Sequence, residues 1–331
     1  MKKIFLFLIS FLIGISLFVW ILKFVGWQEI KKAFLIFTLW QGIVILVLTF
    51  AKMLTATWKW QEILKAEGVG VSFFDLFKTY LAGFSVMYLF PTAFLGGEIF
   101  QSYILKKRHS ISWSKGLASS ISDQILDWTT NLVVIFFGVI FFLWKIALLP
   151  KKIAIISFII LPLALLGISY FYFKAFKKES IIEFLFKRFS RNVPNNGILE
   201  IEKEIFNFFN FKKSSFWKGI FIAFFEEVFF LSRIWFLVGF LGANINLLST
   251  ISILSFSYLA MLIPIPAVLG IHEGVQALAF TSLKLGVGLS TAFTLVIRGA
   301  DMILALIGIF ISFGLGSEVL KEALLKNEGK S

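Results

Sequence analysis

The sequence predicts an all-α polytopic membrane protein with about six full spans and two re-entrant broken-helix hairpins arranged as an inverted repeat. Three observations lead there. Hydrophobic residues make up 59% of the 331, charged residues only 15%, and the mean hydropathy is +0.91; soluble domains sit near 45–50% apolar and about 25% charged. Apolar runs of membrane-spanning length, about 20 residues, recur from one end to the other. Two of them are interrupted at mid-length by Pro and Gly followed by Glu.

The composition excludes a soluble enzyme and a disordered chain. Without cysteine there is no disulfide, thiol nucleophile or Cys-ligated zinc. Two histidines, His109 and His272, are too few for a His-rich metal site. The net charge of +13 would suggest nucleic acid in a soluble protein. No recognition motif accompanies it, so the reading is basic loops against anionic lipid, with no nucleic-acid partner.

The full spans are expected at Ile4–Leu22, Phe34–Ala51, Gln124–Trp144, Ile153–Phe173, Gly219–Leu241 and Thr291–Gly314. The first follows Lys2 and Lys3 like a signal peptide, but no small-residue cleavage site follows at Lys23–Trp27, so it reads as uncleaved. Tyr80–Leu105 contains Pro91, Gly96, Gly97, Glu98 and Gln101; Thr250–Leu285 contains Pro264, Pro266, Gly270, His272 and Glu273. Both read as half-helix pairs that meet at membrane depth and return to the same side. Such backbone is tolerated only where protein or a water-filled cavity surrounds it.

With both termini in the cytoplasm, inside segments carry 23 Lys and Arg and outside segments 7, with Arg233 and Arg298 inside spans. That satisfies the positive-inside rule and places the protein in the cytoplasmic membrane. If each broken stretch crossed once instead, the basic segments 106–115 and 174–218 would move outside. The chain reads as a single transmembrane domain over 1–331, with repeat halves at about 34–173 and 219–316. The basic loop 174–218 holds two stretches, 181–189 and 198–211, that mix bulky apolar residues with charge as interfacial helices do, separated by a turn at 194–197. It reads either as a solvated loop on anionic lipid or as a headgroup-docking element.

The two broken hairpins share a pattern. Pro91 and Glu98 are seven apart, as are Pro266 and Glu273, with Gly between. Twenty-five residues after each Glu comes a charge near the start of the next span, Asp123 in one case and Arg298 in the other. Under the assigned topology the hairpins enter from opposite sides, an arrangement that recurs in secondary transporters. Pro breaks the helix, Gly permits the turn, and Glu begins the next half-helix, whose N-terminus favours an anionic group.

These residues carry a resemblance. The sequence resembles the transmembrane region of lysylphosphatidylglycerol synthases and their stand-alone flippase-like relatives. Pro91, Gly97 and Glu98 match that family's first Pro…Gly-Glu motif; Pro266, Gly270 and Glu273 match its late Pro-Gly-Gly-x-Gly-x-x-Glu motif. Trp58–Leu64 resembles its Arg-Trp…Leu-Leu stretch. Gln101 stands where the family often has Arg, Asp123-Gln124 precedes Asp127 where it often has Glu-Arg, and Ala267-Val268 replaces the double Gly. These changes remove cations expected to hold a headgroup. The resemblance implies movement of a lipid or lipid-linked headgroup across the bilayer. Some relatives carry an aminoacyl-transfer domain; with about 15 residues after the last span, none is expected here.

The expected substrate and coupling residues are therefore Pro91, Gly97, Glu98, Gln101, Asp123, Asp127, Pro266, Gly270, His272, Glu273 and Arg298. Lys106, Lys107 and Arg108 would attract headgroups, or act only as a topology signal. Intramembrane carboxylates are costly and typically functional, so Glu98 and Glu273 would bind a proton, cation or amine, or else cap a half-helix. Asp123 and Asp127, on one helical face, would pair with Arg298 or a loop Lys, or hold Mg²⁺ in a lipid-phosphate transferase. Arg298 would pair with Asp123 across the repeat axis, or locally with Asp301; Glu226 would pair with Arg233, seven residues on. His272 would be a satisfied interior residue or a proton relay.

There is no G-x-x-x-x-G-K-[ST], H-E-x-x-H or G-x-S-x-G motif. The expectation is a non-enzymatic, flippase-like transporter without cofactor or metal. Its partners would be membrane lipids, anionic or phosphate-bearing, with rocking of one repeat half against the other changing access. The rivals are the transferase and a non-transporting assembly partner of an envelope enzyme; a homo-oligomer is compatible with each.

Overall fold

The computed structural model describes residues 37–89, 96–146, 151–189, 196–261 and 271–328. Every regular element among them is a helix: α1 (Leu39–Ala66), α2 (Phe73–Leu89), α3 (Gly96–His109), α4 (Trp113–Ile146), α5 (Lys151–Lys177), α6 (Ile181–Phe189), α7 (Asn196–Phe208), α8 (Ser214–Phe240), α9 (Leu247–Met261), α10 (Ile271–Ser282) and α11 (Val287–Glu328). The expected first span, and Pro91, Pro266 and Gly270, lie outside the described residues.

Burial is arranged as a membrane demands. Large apolar side chains such as Phe137, Leu163, Phe221 and Phe310 face outward, while Lys59, Glu98, Asp123, Glu226, Glu227, Arg233 and Glu273 are buried. By length and composition, Leu39–Ala66, Trp113–Phe142 and Val287–Ser312 can each cross a bilayer.

Helix boundaries depart from the hydropathy-based spans in an instructive way. The second expected span stops at Ala51, but α1 continues to Ala66 and carries Lys52 and Lys59 into the bundle. Both had been counted as loop charges. Helix α4 likewise starts at Trp113 rather than Gln124, with Asp123 and Asp127 inside it. A hydropathy window ends a span at a charge; a helix continues when that charge finds a partner inside.

The packing obeys one exchange rule. Helix α1 lies on α8; α2 packs on α11 as α9 packs on α4; α3 sits between α2 and α4 as α10 sits between α9 and α11. The contacts show antiparallel packing. Thr49 of α1 meets Arg233 of α8, while Lys59 meets Glu226. Two backbone approaches hold the crossed pairs. A Cβ on Gly308 would lie 2.2 Å from the Leu81 carbonyl oxygen, so only glycine lets α11 touch α2 there. On the other side a Cβ on Gly138 would lie 1.8 Å from Ser255 Oγ. Ser255 itself donates to the Val134 carbonyl (2.8 Å), tying α9 to α4.

The two short helices expected within the basic loop form, as α6 and α7. Glu202 of α7 accepts the Ile181 and Ile182 backbone N–H groups (2.8 and 3.0 Å), capping α6. Helix α7 is docked on α4 rather than lying free. Phe206, Phe208 and Phe209 are buried, and Phe209 meets Phe171 of α5 edge-on with centroids 5.1 Å apart.

Just past α1, Glu67 has both carboxyl oxygens buried without a hydrogen-bond partner among the described residues. Burial, with Glu204 as a nearby like charge, pushes its pKa from 4.5 up to about 8. The unfolded chain gives up this proton from pH 4.5 upward, the folded chain only near pH 8. Stability from this group is therefore greatest below pH 4.5 and is lost progressively up to about 8. Glu67→Gln should flatten that slope and raise the melting temperature at alkaline pH. Parallel melting curves for both proteins across this range in detergent would show it. Gly308→Ala should cost about 1–3 kcal/mol through overpacking, whereas Gly299→Ala, with open space at its Cβ, should be neutral. Denaturation of the two variants side by side checks that contrast.

Candidate functional site

Lys59 is fully buried. Its ammonium binds Asp127 Oδ1 in a short contact, Glu226 Oε2 at 3.0 Å and Asp123 Oδ1 at 3.4 Å. Three helices, α1, α4 and α8, thus meet at one cation. The side chain next to it, Trp60, donates its indole N–H to Ser119 of α4 (3.1 Å). A buried charge of this kind is tolerable only when paired and hydrogen-bonded.

The first hairpin lies against this cluster. A Cβ on Gly97 would lie 2.8 Å from the Gly83 carbonyl oxygen, so α3 and α2 touch backbone to backbone. Gln101 packs into the space left by Gly83, where a Cβ would fall 2.4 Å from Gln101 Cγ. Glu98 is 7% exposed. Gln124, its amide nitrogen turned toward Glu98, donates to Glu98 Oε1 (3.2 Å) and accepts from Trp128 Nε1 (2.9 Å). Glu98, Gln101, Asp123 and Gln124 line one cavity together with Tyr80, Gly83 and Ser120. Lys106, Lys107 and Arg108 are exposed at the far end of α3.

The second hairpin has its own cluster. Arg298 of α11 pairs with Glu273 of α10 (2.8 Å). Arg233 of α8 pairs with Asp301 of α11 (2.7 Å) and donates to Thr49 of α1 (3.2 Å). Tyr88 of α2 donates to the Arg298 carbonyl (3.2 Å), so the first hairpin reaches the second cluster. His272 is buried and its Nδ1 has no hydrogen-bond partner among the described residues. Lys52 sits between the clusters, 4.0 Å over the Phe230 ring.

Three expected pairings are replaced. Arg298 pairs with Glu273 rather than Asp123 or Asp301, because Asp123 is taken by Lys59 and Asp301 by Arg233. Glu226 and Arg233 do not pair with each other; each reaches a different neighbouring helix. Asp123 and Asp127 share a lysine, one of the two expected partners; it is Lys59, which lies inside α1 rather than in a loop.

The two clusters correspond under the packing exchange. Lys59 of α1 binds Asp127 of α4 as Arg233 of α8 binds Asp301 of α11. Gln276, three residues after Glu273 as Gln101 is three after Glu98, donates to Ser257 Oγ (2.5 Å) and the Ile253 carbonyl (3.2 Å) of α9. The sequence pattern did not single out Lys59 or Gln276, and it gave Asp301 the wrong partner. The seven-residue spacing of Lys52 and Lys59 and the repeated Glu-x-x-Gln were the available signals.

A family model for the lysylphosphatidylglycerol synthase transmembrane region matches residues 7–308. The chain belongs to that family. Two similar proteins are archaeal. The UPF0104 membrane protein MJ1595 of Methanocaldococcus jannaschii is 25% identical over 341 aligned positions, covering 99% of this chain and 98% of the relative. The UPF0104 membrane protein PH1989 of Pyrococcus horikoshii is 26% identical over 258, covering 72% and 76%. The family match contains both hairpins and every member of both charge clusters.

Lys59→Met should destabilise the protein by about 3–5 kcal/mol, because the buried carboxylates Asp123 and Glu226 and the half-buried Asp127 lose their common cation; Lys59→Arg should lose much less. Charge exchange between Arg298 and Glu273 should restore the stability that either single reversal removes. The same exchange between Arg298 and Asp123 should not. Thermal unfolding of the purified variants in detergent reads all of these.

Proposed function

We propose that this protein is a flippase-like transporter that moves a lipid, or a lipid-linked anionic headgroup, across the cytoplasmic membrane. The observation that carries the reading is the ionisable network buried in the bundle, fed by both broken-helix elements. Intramembrane charge on this scale is expensive, and it typically marks a pathway. Membership of the family is consistent with it.

In this reading α2–α3 and α9–α10 are re-entrant hairpins entering from opposite faces, and α1–α4 and α8–α11 are inverted-topology repeats. Helices of 17 and 14 residues, or 15 and 12, are each shorter than the roughly 20 needed to span. Lys106, Lys107 and Arg108 concentrate anionic lipid at the cytoplasmic mouth. The headgroup then passes between the hairpin elements, where Arg298 offers positive charge beside Glu273 and Glu98 faces the cavity of the first.

The transferase alternative needs Asp123 and Asp127 to hold Mg²⁺. Lys59 occupies the position between them, which favours the transporter reading.

Glu98→Gln and Glu273→Gln should each lower lipid translocation in proteoliposomes at least tenfold per folded molecule, Glu98→Gln at unchanged folded yield and Glu273→Gln with the loss of stability that goes with its Arg298 pair. Wild-type rates in both variants would remove the role given to these carboxylates.

A further inference from the structure

We propose that the cavity between α2, α3 and α4 binds a sodium ion through Glu98 and Asp123. Four features carry this. Glu98 is 7% exposed, lines the cavity, and its Oε2 has no hydrogen-bond partner among the described residues, while Oε1 is held by Gln124. Asp123 lines the same cavity and is 7% exposed; its Oδ1 makes only the long 3.4 Å ion contact with Lys59. Tyr80, Gln101 and Ser120 add neutral oxygens to the lining. The Ser120 hydroxyl donates to the Gly116 carbonyl at 3.2 Å, which leaves its lone pairs free to face a cation.

Charge accounting points the same way. Around this end of the network stand four carboxylates, Glu98, Asp123, Asp127 and Glu226, against two cations: Lys59, within ion-pair distance of the last three, and Lys52, which is near Asp127 and Glu226. A buried excess of carboxylate in a bilayer requires further positive charge. The cavity measures about 40 Å³, room for one or two water-sized particles, so a bare ion fits. Hard cations take oxygen ligands, and Glu98, Gln101, Ser120 and Asp123 bring oxygen-bearing side chains to a lining that Phe84 and Met87 complete on its apolar side. With two carboxylates rather than three, and a lysine beside one of them, the site suits a monovalent ion. Among the described residues no group of three or more His, Cys, Asp or Glu is placed to hold a metal, which argues against a divalent one. A proton would need only one of these oxygens and would leave the other donors without a purpose.

Binding rests on this geometry alone; its use as the coupling ion for transport rests on the transporter reading above. Among the described residues of α10 and α11 the position matching Asp123 is Arg298, which supplies positive charge covalently and pairs with Glu273, so no equivalent pair of carboxylates forms there.

The test is the melting temperature of the purified protein in detergent, at fixed pH and constant ionic strength, as NaCl replaces choline chloride or KCl. The expected result is a saturable rise of several degrees with Na⁺ and none with K⁺. Glu98→Gln and, as a milder variant, Ser120→Ala should abolish or weaken it, while Glu273→Gln retains it. Radioactive ²²Na⁺ binding on the same samples gives the stoichiometry, expected to be one. No saturable Na⁺ effect, an equal effect of K⁺, or an unchanged effect in Glu98→Gln would overturn the site. No lipid enters these readouts, so the site can stand or fall independently of transport.

Discussion

Three helices that are far apart in the chain converge on the ammonium of Lys59, and most of the architecture follows from keeping that charge satisfied. Helix α4 must bring Asp123 and Asp127 to α1, and α8 must bring Glu226. This fixes the rotation of all three helices about their axes. Their outer faces are then free to be Phe-rich and to meet lipid. The first hairpin inherits its position from the same constraint, since Gln124 lies one residue past Asp123 and holds Glu98. In hydrocarbon, apolar contact does little to choose between helix partners; buried ion pairs and close glycine contacts do the choosing.

The second cluster solves the same problem with other residues. Arg233 joins α8 to α11 and α1, much as Lys59 joins α1 to α4 and α8. The correspondence extends to the glutamines that brace each short helix pair. It breaks at Asp123 and Arg298, which occupy matching places with opposite charge. The cluster around Lys59 is consequently rich in carboxylate, while the pairs Arg233–Asp301 and Arg298–Glu273 balance. The crossed packing of α2 on α11 and α9 on α4 also interlocks the halves. Rocking one sequence half against the other would pull apart the backbone approaches at Gly308 and Gly138, so movement confined to the short helix pairs fits the packing better.

Class and family were legible because both rest on quantities that survive without coordinates: apolar run length, loop charge, and the Pro-to-Glu spacing. The short helix pairs were legible for the same reason, since Gly96-Gly97-Glu98 announces a helix start after a break. Partner identity was not. Asp123, Arg298, Glu226, Arg233 and Asp301 were each seen as buried charges, yet their pairing was misassigned because spacing along one helix says nothing about which neighbour faces it. Lys52 and Lys59 were hidden for a different reason. A positive residue at the end of an apolar run reads as the edge of the membrane, and only the carboxylates waiting on α4 and α8 turn it into an interior residue.

The interlocked packing also sets a timetable for assembly. Lys59 meets Asp123 and Asp127 as soon as α4 emerges, so the first cluster can begin to close while the chain is still being made. Arg233 has no such early partner. Its carboxylate, Asp301, lies on α11, the last described helix, as does Gly308, against which α2 rests. From the insertion of α8 until α11 follows, the bilayer therefore holds a bundle with an open groove along α2 and a guanidinium awaiting its counter-ion. Insertion of α11 fills the groove and neutralises the charge in one event.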